Sequence, residues 1–365
     1  MGTQWVLETN GNPLANIQKF LGEVWLRLNL DGLLVPAYDH ELLSSRPLLL
    51  EQPALLKNVD PFLPLTVVEI ARYAIQLTQQ KPAAHFGIIL RSCENRTFNL
   101  IARRAKVPLS NWFTISVDCL SSYSVDDYTW WFEKSGSTGP LAHENLIFAP
   151  QGGIAPYRYR PACQMCILPA AQEADILIGV IGLPVFEEIL VIPKDQAVTD
   201  ILDLAKITNY PASTALISKR SKMIKTLNDR HTRFLERTLS ELSINIPVDV
   251  QEFIQMIDSC APCRACLDAC PIYDLELNAD QLTLSSDHVS YGGNSISQNF
   301  DQITKVSKWL ATCTSCGMCE DACPASKEHP ADRSSGHKSL TAIIARIRNQ
   351  LLLNIQNPGG MDASF

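Results

Sequence analysis

Along the first two-thirds of the chain, apolar residues recur at helical spacing in some stretches and run almost unbroken in others. NIQKFLGEVWLRLNL has the helical period and stops before Gly32, LLVPA reads as a strand, and LTVVEIARYAIQLTQQ reads as a helix halted at Lys81-Pro82. HFGIIL, RSCEN, RTFNLIARRAK and WFTISVDC then follow as strand, loop, helix and strand, a βαβ unit. This alternation predicts an α/β domain built on a mostly parallel sheet with covering helices. ADILIGVIGLPVFEEILVIP has roughly the length of a membrane span. Asp175, Pro184, Glu187 and Glu188 interrupt it, so it reads as two buried strands joined by a turn, and no membrane span is expected. Ser213 to Leu242 reads as a long helix closed by Pro247. It carries Lys219, Arg220, Lys222, Lys225, Arg230, Arg233 and Arg237, either as a solvated face or as a docking face.

From about residue 247 cysteine-dense turns replace the alternation. The expected organisation is an α/β domain over 1–246, a cysteine-rich α-helical domain over 247–335 and a helical tail over 336–365. In the tail, SLTAIIARIRNQLLLN places Leu340, Ile343, Ile344, Ile347 and Leu351 on one face before Pro358-Gly359-Gly360.

With 365 residues, 46% of them hydrophobic, the chain can bury a full core. Its formal charge of −7 argues against a nucleic-acid partner, which would require a basic footprint. MGTQWVLETN has no basic segment followed by an apolar run, and Val6 breaks the myristoylation pattern, so a cytoplasmic protein is expected. In that compartment the 12 cysteines are better read as metal ligands than as disulfides.

Eight of them form two copies of one pattern, CAPCRACLDACP from Cys260 to Pro271 and CTSCGMCEDACP from Cys313 to Pro324. The spacing C-x2-C-x2-C-x3-C-P is the bacterial ferredoxin pattern for 4Fe-4S clusters. Two residues between cysteines let a tight turn aim three thiolates at one cluster, and the fourth points elsewhere. In two-cluster ferredoxins that fourth cysteine reaches the other cluster. Cys260, Cys263, Cys266 and Cys323 are therefore expected to hold one cluster, and Cys313, Cys316, Cys319 and Cys270 the second. Zinc is the alternative, but four-cysteine zinc sites usually come as separated C-x2-C pairs and need neither a third cysteine in the run nor Pro271 and Pro324. With 42 residues between Cys270 and Cys313, and DQITKVSKWLATC reading as a helix, the module resembles the α-helical ferredoxins of respiratory and heterodisulfide reductase subunits.

Cys93, Cys119, Cys163 and Cys166 remain. Cys93 and Cys119 sit at the carboxyl ends of the two strands of the βαβ unit, on the sheet edge where α/β ligand sites form. Cys163 and Cys166 have chelating spacing, near Arg158 and Arg160. Together they suffice for a third 4Fe-4S cluster. Taken singly, Cys93 and Cys119 also fit buried small thiols, and Cys163 with Cys166 a redox dithiol or half a zinc site. QGGIAP, Gln151 to Pro156, holds the paired glycines Gly152 and Gly153, a turn or a close approach to a phosphate or cluster.

FGIILRSCENRTFNLIARRAKVPLSNWFTISVDC and YRPACQMCILPAAQEADILIGVIG resemble the β subunits of deazaflavin-coenzyme-reducing hydrogenases and formate dehydrogenases, and DPFLPLTVVEIAR resembles the formate dehydrogenase branch. With the double-cluster module, the likeness covers most of residues 55 to 335. It implies that Cys93, Cys119, Cys163 and Cys166 share a third cluster, and that the chain passes electrons between a catalytic subunit and an acceptor. That catalytic subunit would be formate dehydrogenase-, hydrogenase- or heterodisulfide reductase-like. The family also carries FAD, held by a Gly-rich segment near the N-terminus. Here Gly2, Gly11, Gly22 and Gly32 stand singly, so flavin binding stays open.

The expected function is that of an iron–sulfur electron conduit without its own substrate site, since no Ser/His/Asp, P-loop or H-E-x-x-H constellation is present. The alternatives are a flavin-containing diaphorase that itself reduces a deazaflavin or nicotinamide coenzyme, and a zinc-stabilised scaffold. His40, His85, His143, His231, His288, His329 and His337 are scattered and read as surface or packing residues.

Overall fold

The structure, a computed structural model, describes residues 2–135, 139–153, 159–171, 173–241, 249–259, 263, 265–273, 296–324 and 340–356. The chain divides into two compact units, Met1–Arg233 and Phe234–Phe365. The boundary expected near residue 247 falls in 242–248, outside the described residues.

The first unit is built on eight strands: β1 (Trp5–Glu8), β2 (Gly32–Asp39), β3 (Ser44–Leu50), β4 (Phe86–Leu90), β5 (Trp112–Val117), β6 (Ile176–Gly179), β7 (Glu188–Pro193) and β8 (Tyr210–Pro211). Its helices are α1 (Pro13–Leu28), α2 (Glu69–Gln80), α3 (Ser92–Ala105), α4 (Val125–Ser135), α5 (Gly139–Ile147), α6 (Pro161–Gln164), α7 (Gln196–Leu202) and α8 (Leu204–Ile207). The long α9 (Thr214–Glu241) carries the division between the units. The strands form one sheet in the order β3-β2-β4-β5-β6-β7-β1-β8.

The expectation of a mostly parallel sheet is corrected to a mixed one. β2, β4, β5 and β6 form a parallel centre, while β3 on β2, β7 on β6, and β1 on both β7 and β8 are antiparallel. The cause is connection length. Residues 180–187 join β6 to β7, where the amides of Glu187 and Glu188 both bond the Pro184 carbonyl. A parallel return needs a crossover of a dozen or more residues.

The βαβ unit forms as its pattern predicts. Every residue of β4 is buried, as expected of a central parallel strand covered on both faces. One difference matters for chemistry: α3 begins at Ser92, so Cys93 lies in its first turn rather than in a loop. Glu94, fully buried, fixes this start by accepting from the Arg91 amide at 2.6 Å and from the Val67 amide at 2.6 Å. One apolar cluster runs from Val6 and Ile17 through Ile89, Ile115 and Ile178 to Leu216 and Leu227, joining sheet, α1 and α9. Each such fully buried side chain contributes about 2 kcal/mol.

In the second unit, α10 (Val250–Ser259), α11 (Ala265–Asp268), α12 (Ile296–Thr312), α13 (Met318–Asp321) and α14 (Leu340–Gln356) are described. α12 packs against α10 and α14, and α13 against α11 and α14. Ile343, Ile344 and Ile347 of α14 are buried, as the tail's apolar stripe predicts; the Leu351 side chain and Pro358-Gly359-Gly360 lie outside the described residues. No described helix is long and apolar enough to cross a membrane.

Candidate metal centres

The parallel centre of the sheet brings the carboxyl ends of β4 and β5 to one edge, with Cys93 in the first turn of α3 and Cys119 just past β5. The Cys119 amide bonds the Pro169 carbonyl at 2.8 Å, tying this edge to the segment that follows Cys166. Cys163 lies on α6, whose short turn carries the chain into Cys166 through a Cys166 amide to Cys163 carbonyl bond of 3.3 Å.

The four thiols lie within electrostatic reach of one another in every pairing. Burial, first, pushes Cys93 up to about 12, with Glu94, Cys119 and Cys166 adding to it. Burial likewise pushes Cys119 and Cys163 up to about 12, with the other thiols raising them further. The residues are partly exposed, yet the protein around these three thiols is dense enough for desolvation to dominate. No three His, Cys, Asp or Glu side chains among the described residues converge on a point where one metal ion would sit.

Cations face this group, two of them buried. Arg91, 6% exposed, lowers Cys119; Arg160, 3% exposed, lowers Cys163; Arg96 lowers Cys93. Arg91 Nη1 has no hydrogen-bond partner among the described residues and lies 4.0 Å from Glu94 Oε1. A buried guanidinium N–H without a hydrogen-bond partner, close enough to Cys119 to lower it, fits an anionic iron–sulfur group, which would supply sulfur acceptors. Arg158 lies outside the described residues, as do residues 154–156 of QGGIAP; Gly152 and Gly153 have positive φ of 81° and 109° and form a turn.

Two anchors that the sequence pattern did not reveal hold the edge in place. Arg220, from the basic stretch of α9, donates from Nε to Asp118 Oδ2 at 3.0 Å and from Nη2 to Oδ1 at 2.6 Å. Asp118 Oδ2 also accepts the amides of Val180 and Ile181 at 2.9 and 3.1 Å. His231, further along α9, is 5% exposed and places Nδ1 2.5 Å from the Cys166 carbonyl. A carbonyl only accepts, so Nδ1 carries the proton, and burial holds the imidazole pKa below its ordinary value. His231 is thus tied to the site rather than a scattered histidine.

In the second unit, Cys260 lies outside the described residues, Cys263 is exposed, and α11 with Cys266 packs against α13, which leads into Cys323. The other set is drawn together. Burial raises Cys270, with Cys313 adding to the shift. Burial raises Cys319 well above the ordinary value, with Cys316, Cys313 and Cys270 adding to the shift. These are the four cysteines that the crossed ferredoxin ligation assigns to one cluster.

Residues 259–326 match the family model of the 4Fe-4S double cluster binding domain, which spans both cysteine runs. The C-terminal part of the chain is therefore an iron–sulfur module. Among solved structures, a chain of the F420-reducing [NiFe] hydrogenase complex from Methanosarcina barkeri is similar at 13% identity and a TM-score of 0.45, over 65% of this chain and 92% of that one. No curated protein matches the chain.

Proposed function

We propose that the chain is an iron–sulfur electron-transfer subunit that relays electrons between a catalytic oxidoreductase subunit, formate dehydrogenase- or hydrogenase-like, and an acceptor. Three 4Fe-4S clusters are proposed: one on Cys260, Cys263, Cys266 and Cys323, one on Cys313, Cys316, Cys319 and Cys270, and one on Cys93, Cys119, Cys163 and Cys166. The pairing of all four first-unit thiols at one sheet edge carries this reading beyond the double-cluster module. The choice of partner rests on the resemblance of residues 55 to 335 to the β subunits described above.

Bound clusters supply one-electron storage; the rest is the work of this chain's side chains. Thiols held near 12 stay protonated at neutral pH, so taking up a metal group expels their protons. Arg91 and Arg160 then offset the thiolate charge, and Arg220 and His231 hold the two ligand-bearing segments against α9.

The test is metal and chromophore analysis of the chain purified without oxygen. A brown protein with about twelve iron and twelve sulfide per polypeptide is expected. Zinc in place of iron overturns the reading, and iron near eight removes the first-unit cluster. A yellow chromophore released by acid would show a bound flavin and favour the diaphorase.

A further inference from the structure

Two side chains outside the cysteine pattern, one on α12 and one on α14, reach the cysteines assigned to the second cluster. Trp309 on α12, 4% exposed, places Nε1 3.3 Å from Cys270 Sγ. An indole N–H can only donate. Arg348 on α14 donates from Nη1 to the Cys313 carbonyl at 3.2 Å and to Ser315 Oγ, while its Nε is buried without a hydrogen-bond partner among the described residues. The loop from Cys313 is shaped to receive Arg348. Ser315 and Gly317 take positive φ of 57° and 74°, and the Ser315 amide approaches Cys313 Sγ at 3.4 Å.

Arg348 is held there by packing as well. Ala342, Ile343, Ile344 and Ile347 of α14 are buried, and the Thr341 hydroxyl donates to the buried Glu320 carboxylate on α13. α14 lies beyond residues 259–326, so Arg348 reaches into the double-cluster module from outside its matched stretch. A guanidinium with a buried, unpartnered N–H is expensive unless negative charge lies beside it. The potential of an iron–sulfur cluster is set by its net charge, by hydrogen bonds to its sulfurs and by its exposure. An added electron makes the cluster more negative, so a neighbouring cation and an N–H aimed at a ligand sulfur both favour the reduced form.

We infer that Trp309 and Arg348 raise the reduction potential of the cluster on Cys270, Cys313, Cys316 and Cys319. The inference rests on the proposed ligation of that cluster. The expected size follows from the tenfold to thousandfold bias that a close charge exerts on ionisation. The lower end applies, because the Nη1 bonds go to a carbonyl and a hydroxyl rather than to sulfur.

The experiment is an EPR-monitored redox titration of the full chain purified without oxygen, alongside iron analysis. Cys316→Ser identifies the second cluster's signal by abolishing it. Arg348→Gln should leave that cluster about tenfold less reduced at a given ambient potential, a fall of about 59 mV for a one-electron couple. Arg348→Lys, which keeps the charge, should retain most of the wild-type potential, and Trp309→Phe should shift it downward by less than Arg348→Gln. If Arg348→Gln keeps its iron and its midpoint is unchanged, the inference fails while the cluster stands. If Arg348→Gln does not assemble the cluster, Trp309→Phe decides, and an unchanged midpoint there overturns the inference. Loss of the cluster from both variants makes the two residues structural and also overturns it. A wild-type chain in which Cys316→Ser removes neither iron nor signal sinks the ligation itself, a distinguishable result.

Discussion

Replacing Arg220 by Met tests the way α9 holds the first-unit site. The Asp118 side chain is 0% exposed and that of Arg220 11%, and their two hydrogen bonds of 3.0 and 2.6 Å form a bidentate pair. Gly179 makes room for it, since a Cβ there would lie 2.7 Å from Arg220 Nε. Removing one partner of a buried pair costs roughly 3–5 kcal/mol, because the other charge stays buried. Asp118 keeps the amides of Val180 and Ile181, so the lower end, about 3 kcal/mol, is expected. For a unit of 233 residues this corresponds to a Tm lower by about 6–12 °C. Asp118 immediately precedes Cys119, so the first-unit iron should fall as well, by up to about four per chain. Thermal unfolding followed by tryptophan fluorescence, with iron analysis on the same preparation, measures both. A Tm within about 1 °C of wild type together with unchanged iron would refute the argument that this pair pins the ligand edge.

Glu94→Gln replaces a buried double acceptor with a group whose NH2 faces an amide donor, and should cost about 2 kcal/mol in thermal unfolding; unchanged stability would contradict the role given to Glu94. The metal-free chain should lose stability between pH 9 and 12. Below pH 9 the thiols are neutral in both states, and above it the unfolded chain ionises while folded Cys93, Cys119 and Cys163 resist up to about 12. A urea midpoint that did not fall across that window would speak against the buried thiol group. The isolated chain should reduce no artificial dye from formate or hydrogen, and steady dye reduction by it alone would show a substrate site of its own.

What was legible in the sequence is what local spacing encodes. The unbroken FGIIL announces a central strand, and the cysteine runs announce their chemistry because three of four ligands fall within one turn of chain. Cys93 and Cys119 could be placed on one edge because a βαβ unit fixes the direction of both strands. The mixed sheet was not legible, because antiparallel return of β7 depends on the short turn at Pro184 and on β1 pairing with strands far along the chain. The anchors were hidden for the same reason. Arg220 looks like any other basic residue of α9 until the fold brings it to Asp118, 102 positions away. His231 is 65 positions from Cys166, and Arg348 is 35 from Cys313. The one available signal was modest: a tail helix with a clear apolar stripe must pack on something, and here that brings Arg348 to the second cysteine loop.

The most direct test of the central claim is the iron content of Cys119→Ser beside wild type, each purified without oxygen. If Cys93, Cys119, Cys163 and Cys166 hold one four-iron cluster apart from the ferredoxin-type pair, iron falls from about twelve to about eight per chain while the two C-terminal clusters keep their EPR signals. Iron and spectra identical to wild type would make Cys119 an ordinary buried thiol and contradict the account of the first unit.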